Sequence, residues 1–119
     1  MGLLNASETS PEDFAARHGH ALTEGEEVRF AFRTVRDFIA FTSWRVLHVD
    51  VQGVTGSKVQ YLTVPYRSIN AFALTSAGTL DLDAEIKIFL SGHPGIEFRI
   101  ARGSDTRALQ GWLAGKLDR

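Results

Sequence analysis

The chain contains no cysteine, which removes disulfides, thiolate nucleophiles and cysteine-based metal sites at one stroke. It also contains no apolar run of about eighteen residues, the length that a membrane-spanning helix needs. Met1 to Ser10 lacks the basic start and apolar middle of a secretion signal, and the N-terminal Met-Gly is followed by Ala6 where a myristoylation motif requires Ser or Thr. Charge of one sign is missing too. Thirteen Lys and Arg against fourteen Asp and Glu leave a net charge of -1, so no overall field attracts nucleic acid or an anionic membrane. There is no internal repeat, low-complexity tract or linker. These absences predict a cytoplasmic protein with no anchor and no nucleic-acid partner.

What remains is ordinary in composition and regular in pattern. At 119 residues with 44% hydrophobic and 23% charged side chains, the chain can build one core but not two. Ser10-Pro11-Glu12-Asp13 is a helix start: a hydroxyl cap, a proline at the first helical position, and acids near the positive end of the dipole. It predicts a short helix over Pro11 to His18, stopped by Gly19, with Phe14 set against the body of the domain.

From Glu26 onward the period is two. Val28, Phe30 and Phe32 alternate with Arg29, Ala31 and Arg33 in a first strand, and Asp37 to Ser43 forms a second, apolar enough to be covered on both sides. Trp44 to Val51 and Lys58 to Val64 are a third and fourth, joined by a hairpin whose Gly53 and Gly56 can take positive φ. Pro65 ends that ladder because it has no N–H. After an irregular or single-turn link over Tyr66 to Asn70, Ala71 to Ser76 is the fifth strand.

Leu80 to Leu90 is the sixth, with Leu80, Leu82, Ala84, Ile86, Ile88 and Leu90 set against Thr79, Asp81, Asp83, Glu85, Lys87 and Phe89. Ile96, Phe98 and Ile100 mark the seventh. Leu109, Trp112, Leu113 and Leu117 then form one stripe of a helix from Asp105 to Leu117, with Ser104 as its cap. The expected fold is mainly β: a seven-stranded antiparallel barrel or sandwich closed by the C-terminal helix, with Trp112 as a plug.

Several of these pieces resemble the bacterial pleckstrin-homology domains. They are Gly25-Glu26, Arg36-Asp37, Phe41-Thr42 with Arg45, Asp50 with Gln52-Gly53 and Thr55-Gly56, Val64 to Ile69, Thr79 to Ile88, and Ser91-Gly92. The chain departs from the family's habit at Ser43-Trp44, before the matched arginine, and at Thr75, where the family tends to place Glu. The resemblance implies a pleckstrin-homology-like barrel over residues 25–119 behind an N-terminal extension of 1–24. It also implies assembly into cyclic homo-oligomers, and no established catalysis.

The chemistry-bearing residues point the same way. Asp81, Asp83 and Glu85 stand on one strand face at spacings of roughly 6.5 to 7 Å, too far apart for calcium, which gathers six or more oxygens at about 2.3 to 2.6 Å. That face, continued by Lys87 and by an exposed Phe89, is expected to be an oligomer interface together with Arg29 and Arg33. Arg33, Arg36 and Arg45 are the candidates for contact with an anionic lipid headgroup at a membrane surface, although the first hairpin, Thr34 to Asp37, is short and Asp37 adjoins Arg36. Gly53 to Lys58 fails the spacing of a phosphate loop. His18, His20, His48 and His93 accompany no nucleophile elbow and no zinc-protease signature. No catalytic residue, metal or cofactor is expected. The reading is a non-enzymatic module that self-associates, with lipid-headgroup binding as the alternative.

Overall fold

A computed structural model of the chain describes residues 4–75, 84–101 and 106–117. The elements run β1 (Leu4–Thr9), α1 (Pro11–His18) with a 3-10 turn (Gly19–Ala21), β2 (Val28–Arg33), β3 (Phe38–Thr42), β4 (Arg45–Gln52) and β5 (Lys58–Pro65). A second 3-10 turn (Tyr66–Ser68) leads into β6 (Ile69–Thr75), β7 (Ala84–Leu90), β8 (His93–Ile100) and α2 (Thr106–Leu117). The mainly β character and the two helices are as expected. The strand count is not: among the described residues there are eight strands rather than seven. The added one is β1, which lies parallel to β8 with Ala6 opposite Ile100, so the expected all-antiparallel arrangement is corrected as well. Two compact units divide the chain, Glu8–Pro65 and Met1–Ser7 with Tyr66–Arg119.

In the unit from Glu8 to Pro65 the strand order is β5-β4-β3-β2. α1 forms where the sequence placed it, because the Ser10 hydroxyl accepts the Asp13 amide at 2.9 Å and Pro11 opens the first turn. The helix drops Phe14 onto one sheet face, where it joins Ala31, Phe38, Ala40, Leu47 and Val49 in a single apolar cluster. Register explains the membership: Ala31 pairs with Ala40, Phe38 with Val49 and Ala40 with Leu47. Pairs Phe30–Phe41 and Phe32–Ile39 face the other way and are also buried. Both faces of β3 are therefore covered. The expected wet face of β2 is correspondingly interrupted at Ala31, which the helix covers between the outlying Arg29 and Arg33.

The other unit carries the order β1-β8-β7-β6. Ala84, Ile86 and Ile88 pair with Ile100, Phe98 and Ile96, and all six are buried, as the alternation of β7 requires. Between Ile88–Ile96 and Leu90–His93 the ladder slips, leaving Pro94 and Gly95 opposite Phe89. Pro94 is tolerated at such a bulge, where no ladder donor is needed. Gly95 has φ of +90°, and a Cβ there would collide with the Ile88 carbonyl oxygen. The helix α2 packs on β6 and on the 3-10 turn before it. Its fully buried residues are Leu109 and Leu113, whereas Trp112 is only half-buried. Its ring lies under the Lys116 ammonium, 4.6 Å from the centroid, and its Nε1 donates to the Tyr66 hydroxyl at 3.5 Å.

Candidate functional site

Arg45 is the most heavily engaged of the arginines expected to meet an anion. Glu26 enters β2 with a fully buried side chain, and Arg45 Nε and Nη2 donate to its two oxygens at 2.8 and 2.9 Å. The same guanidinium donates to the Thr63 hydroxyl at 2.7 Å and the Ala21 carbonyl at 2.6 Å. Thr42 completes the arrangement. Its hydroxyl donates to Glu26 at 2.6 Å and accepts the amides of Trp44 and Arg45 at 3.1 and 3.0 Å. Burial alone would raise the Glu26 pKa. The hydrogen bonds of Arg45, then of Thr42 and Thr23, outweigh it and bring the pKa down from 4.5 to about 2. The arrangement ties the 3-10 turn, the approach to β2, and strands β4 and β5 together.

Arg33 and Arg36 are committed as well. Arg33 donates to Asp13 at 3.2 Å and lies over the Phe38 ring, binding β2 to α1. Asp13 in turn is held below its ordinary range, first by the Thr9 hydroxyl against a desolvation cost, then by Arg17 and Arg33. Arg36, at the β2–β3 hairpin, donates to the Gly53 carbonyl in the β4–β5 turn. That bond brings two hairpin tips side by side, each with a bare valine: Val35 is 95% exposed and Val54 102%. Arg29 lies over the Phe30 ring, 4.4 Å from the centroid.

In the other unit, Asp81 and Asp83 lie outside the described residues. Glu85 and Lys87 do share the outer face of β7, and β8 answers them: Arg99 stands 3.7 Å from Glu85 and Lys87 3.5 Å from Glu97. These follow directly from the register. Exposed pairs of this kind contribute about 0 to 1 kcal/mol each. Phe89 continues the same face and is 46% exposed.

The histidines sort into two places. His48 on β4 has its Nε2 buried and 3.6 Å from Asp37 Oδ2, while Asp37 Oδ1 accepts the Val51 amide. His18, at the end of α1, and His20, in the following turn, converge on Tyr61 of β5, with Nδ1 and Nε2 at 3.3 and 3.0 Å from its hydroxyl oxygen. Burial first, then the charges of His20 and Arg17, lower the His18 pKa. More than forty residues separate Tyr61 from either histidine, so only the fold reveals the cluster. Among the described residues, no three His, Asp or Glu side chains gather where they could hold a metal ion. No helix among them is long and apolar enough to cross a membrane.

Comparison with known proteins agrees with this architecture. The family described as "Bacterial PH domain" matches residues 1–117. The uncharacterised protein YjqA of Bacillus subtilis is 48% identical over 92 residues, covering 76% of this chain and 74% of its own. A crystal structure of a protein with a pleckstrin-homology domain from Shewanella loihica is 36% identical, with a TM-score of 0.79, over 98% of this chain and 99% of that one. A pleckstrin-homology domain from Shewanella amazonensis is 39% identical, with a TM-score of 0.66, over 93% and 90%.

Proposed function

This chain belongs to the bacterial PH domain family, and from that membership we propose that it is a non-enzymatic interaction module that assembles into a cyclic homo-oligomer. The observation that carries the reading is the outer edge of β5, which no strand among the described residues pairs. That strand is eight residues long, ends the order β5-β4-β3-β2, and pairs with β4 in unbroken register from Arg45–Pro65 to Gln52–Lys58. A long, regular edge offers its outer backbone groups to any passing strand unless a bulge, an internal proline or a charge row blunts it. Here there is no bulge, and Pro65 stands at the very end. Val59 and Tyr61 are 38% and 39% exposed along the strand. A neighbouring copy would cover the backbone row and the Val59 side chain, and head-to-tail contacts of this kind close into a ring when the rotation permits. The exposed Phe89, with Glu85, Lys87, Arg29 and Arg33, supplies further contact surface.

Size-exclusion chromatography with light scattering, at tens of micromolar protein, tests the proposal. A mass several times 13.1 kDa is expected. A monomer would end it.

The second reading, docking on an anionic lipid surface, draws on Val35 and Val54, two exposed apolar tips held together by Arg36. Its test is liposome flotation at low and physiological salt. Binding that depends on Arg36 and on both valines would promote it above the first reading, and absence of binding at low salt would dismiss it.

A further inference from the structure

We propose that His18, His20 and Tyr61 form a binding site for a divalent transition-metal cation of the zinc or copper class. Two imidazole nitrogens, His18 Nδ1 and His20 Nε2, are aimed at one phenol oxygen from 3.3 and 3.0 Å. Those spacings are the edges of a coordination polyhedron. Ligands at about 2.0 to 2.1 Å from zinc, set at the tetrahedral angle, stand about 3.3 to 3.4 Å apart, and at a right angle about 3.0 Å. An ion seated beside the three atoms would replace the two hydrogen bonds to the Tyr61 hydroxyl and would be reached by rotation of the three side chains.

The donors sit on elements that hold them still. His18 ends α1 with its ring edge-on to Phe38, centroids 5.3 Å apart, and 6.0 Å from the Phe14 ring. His20 is fixed in the Gly19–Ala21 turn, whose close is the hydrogen bond from the Leu22 amide to the Gly19 carbonyl at 3.0 Å. Tyr61 projects from β5 opposite Val49. Half-exposure leaves room for water in the remaining coordination positions, as Tyr61 keeps 39% of its surface.

Donor chemistry selects the ion. Two imidazoles and a phenolate oxygen, its proton released to solvent as the metal–oxygen bond forms, suit zinc or copper, while calcium and magnesium require carboxylate and carbonyl oxygens that this cluster does not offer. The nitrogens must be unprotonated to bind, so occupancy should rise with pH. The Arg17 charge opposes an incoming cation. Its ion pair with Asp13, at 3.3 Å, offsets part of that opposition.

The test is isothermal titration of zinc chloride into the full chain, with near-ultraviolet difference absorbance to follow the tyrosine. One zinc per chain with micromolar affinity is expected, accompanied by the phenolate band of a metal-bound tyrosine. His20→Gln should weaken binding by more than the roughly tenfold that loss of an outer-shell partner costs. Tyr61→Phe should abolish the phenolate band and weaken binding too. Because His20 is exposed and Tyr61→Phe removes one oxygen, at least one variant keeps the wild-type melt and makes the comparison valid. Absence of heat up to millimolar zinc would overturn the proposal. Wild-type affinity in both variants would also overturn it, by assigning the ion to His48 or His93.

Discussion

At the scale of single residues, the Glu26–Arg45 pair governs what acid and substitution do to the fold. A buried carboxylate that loses its partner is left uncompensated in a poor solvent for charge, at a cost of about 3 to 5 kcal/mol. Arg45→Met should lower stability by that order in a urea melt, whereas the double variant Glu26→Gln, Arg45→Met should recover much of the loss. The pH dependence has a definite sign. Folding lowers the Glu26 pKa from 4.5 to about 2, so its stabilisation is fully present above pH 4.5 and is lost as pH falls toward 2. The shift corresponds to about 3 kcal/mol. Melts of wild type and Glu26→Gln between those limits should converge as the acid strengthens; parallel curves would contradict the assignment.

Residue-level reading of the sequence found Arg45 but not its employment. The resemblance carries both Glu26 and Arg45 without pairing them, and nothing in the spacing says that a carboxylate nineteen residues away will claim the guanidinium. Tyr61 and the two histidines were hidden for the same reason, since a cluster assembled from a helix end, a turn and an edge strand has no local signature. Glu85, Lys87 and Phe89 were legible because strict alternation settles which face of one strand they occupy.

At the scale of elements, α1 and the β7–β8 bulge make separate predictions. Phe14 is the buried residue of α1, so Phe14→Ala should remove about 3 to 5 kcal/mol and expose the helix amides to hydrogen exchange, with those of β7 unaffected. Gly95→Ala should be as harmful despite adding one methyl group. It combines a φ of +90° with a collision on the Ile88 carbonyl, and neither can relax without breaking the bulge. Gly92→Ala, which also has positive φ but nothing near its Cβ position, is the milder control in the same thermal melt.

Most elements were legible because a cap or an alternation announced them. Ser10-Pro11 fixed the start of α1, and the apolar period located β2 through β8 within a few residues. β1 was invisible for a physical reason. Its sequence, Leu-Asn-Ala-Ser-Glu-Thr, includes residues depleted in strands, and its pairing with β8 is made by the backbone, which leaves no mark on composition. The helical stripe was legible too, since Leu109 and Leu113 lie on the buried side of α2.

At the scale of the whole molecule, family membership gives the architecture and leaves the edges to be explained. A charge balance near neutrality neither drives copies apart nor draws in a polyanion, so short-range contacts decide association. The outer edge of β5, which no strand among the described residues pairs and along which Val59 is exposed, is the feature that a neighbouring copy would cover. Sedimentation velocity of the wild type beside Val59→Lys tests this most directly. A charged residue there should blunt the edge while leaving the fold intact. The account predicts one discrete species of several times 13.1 kDa for the wild type and a monomer with an unchanged melt for the variant. Identical distributions for the two proteins, or a monomer in both, would contradict it.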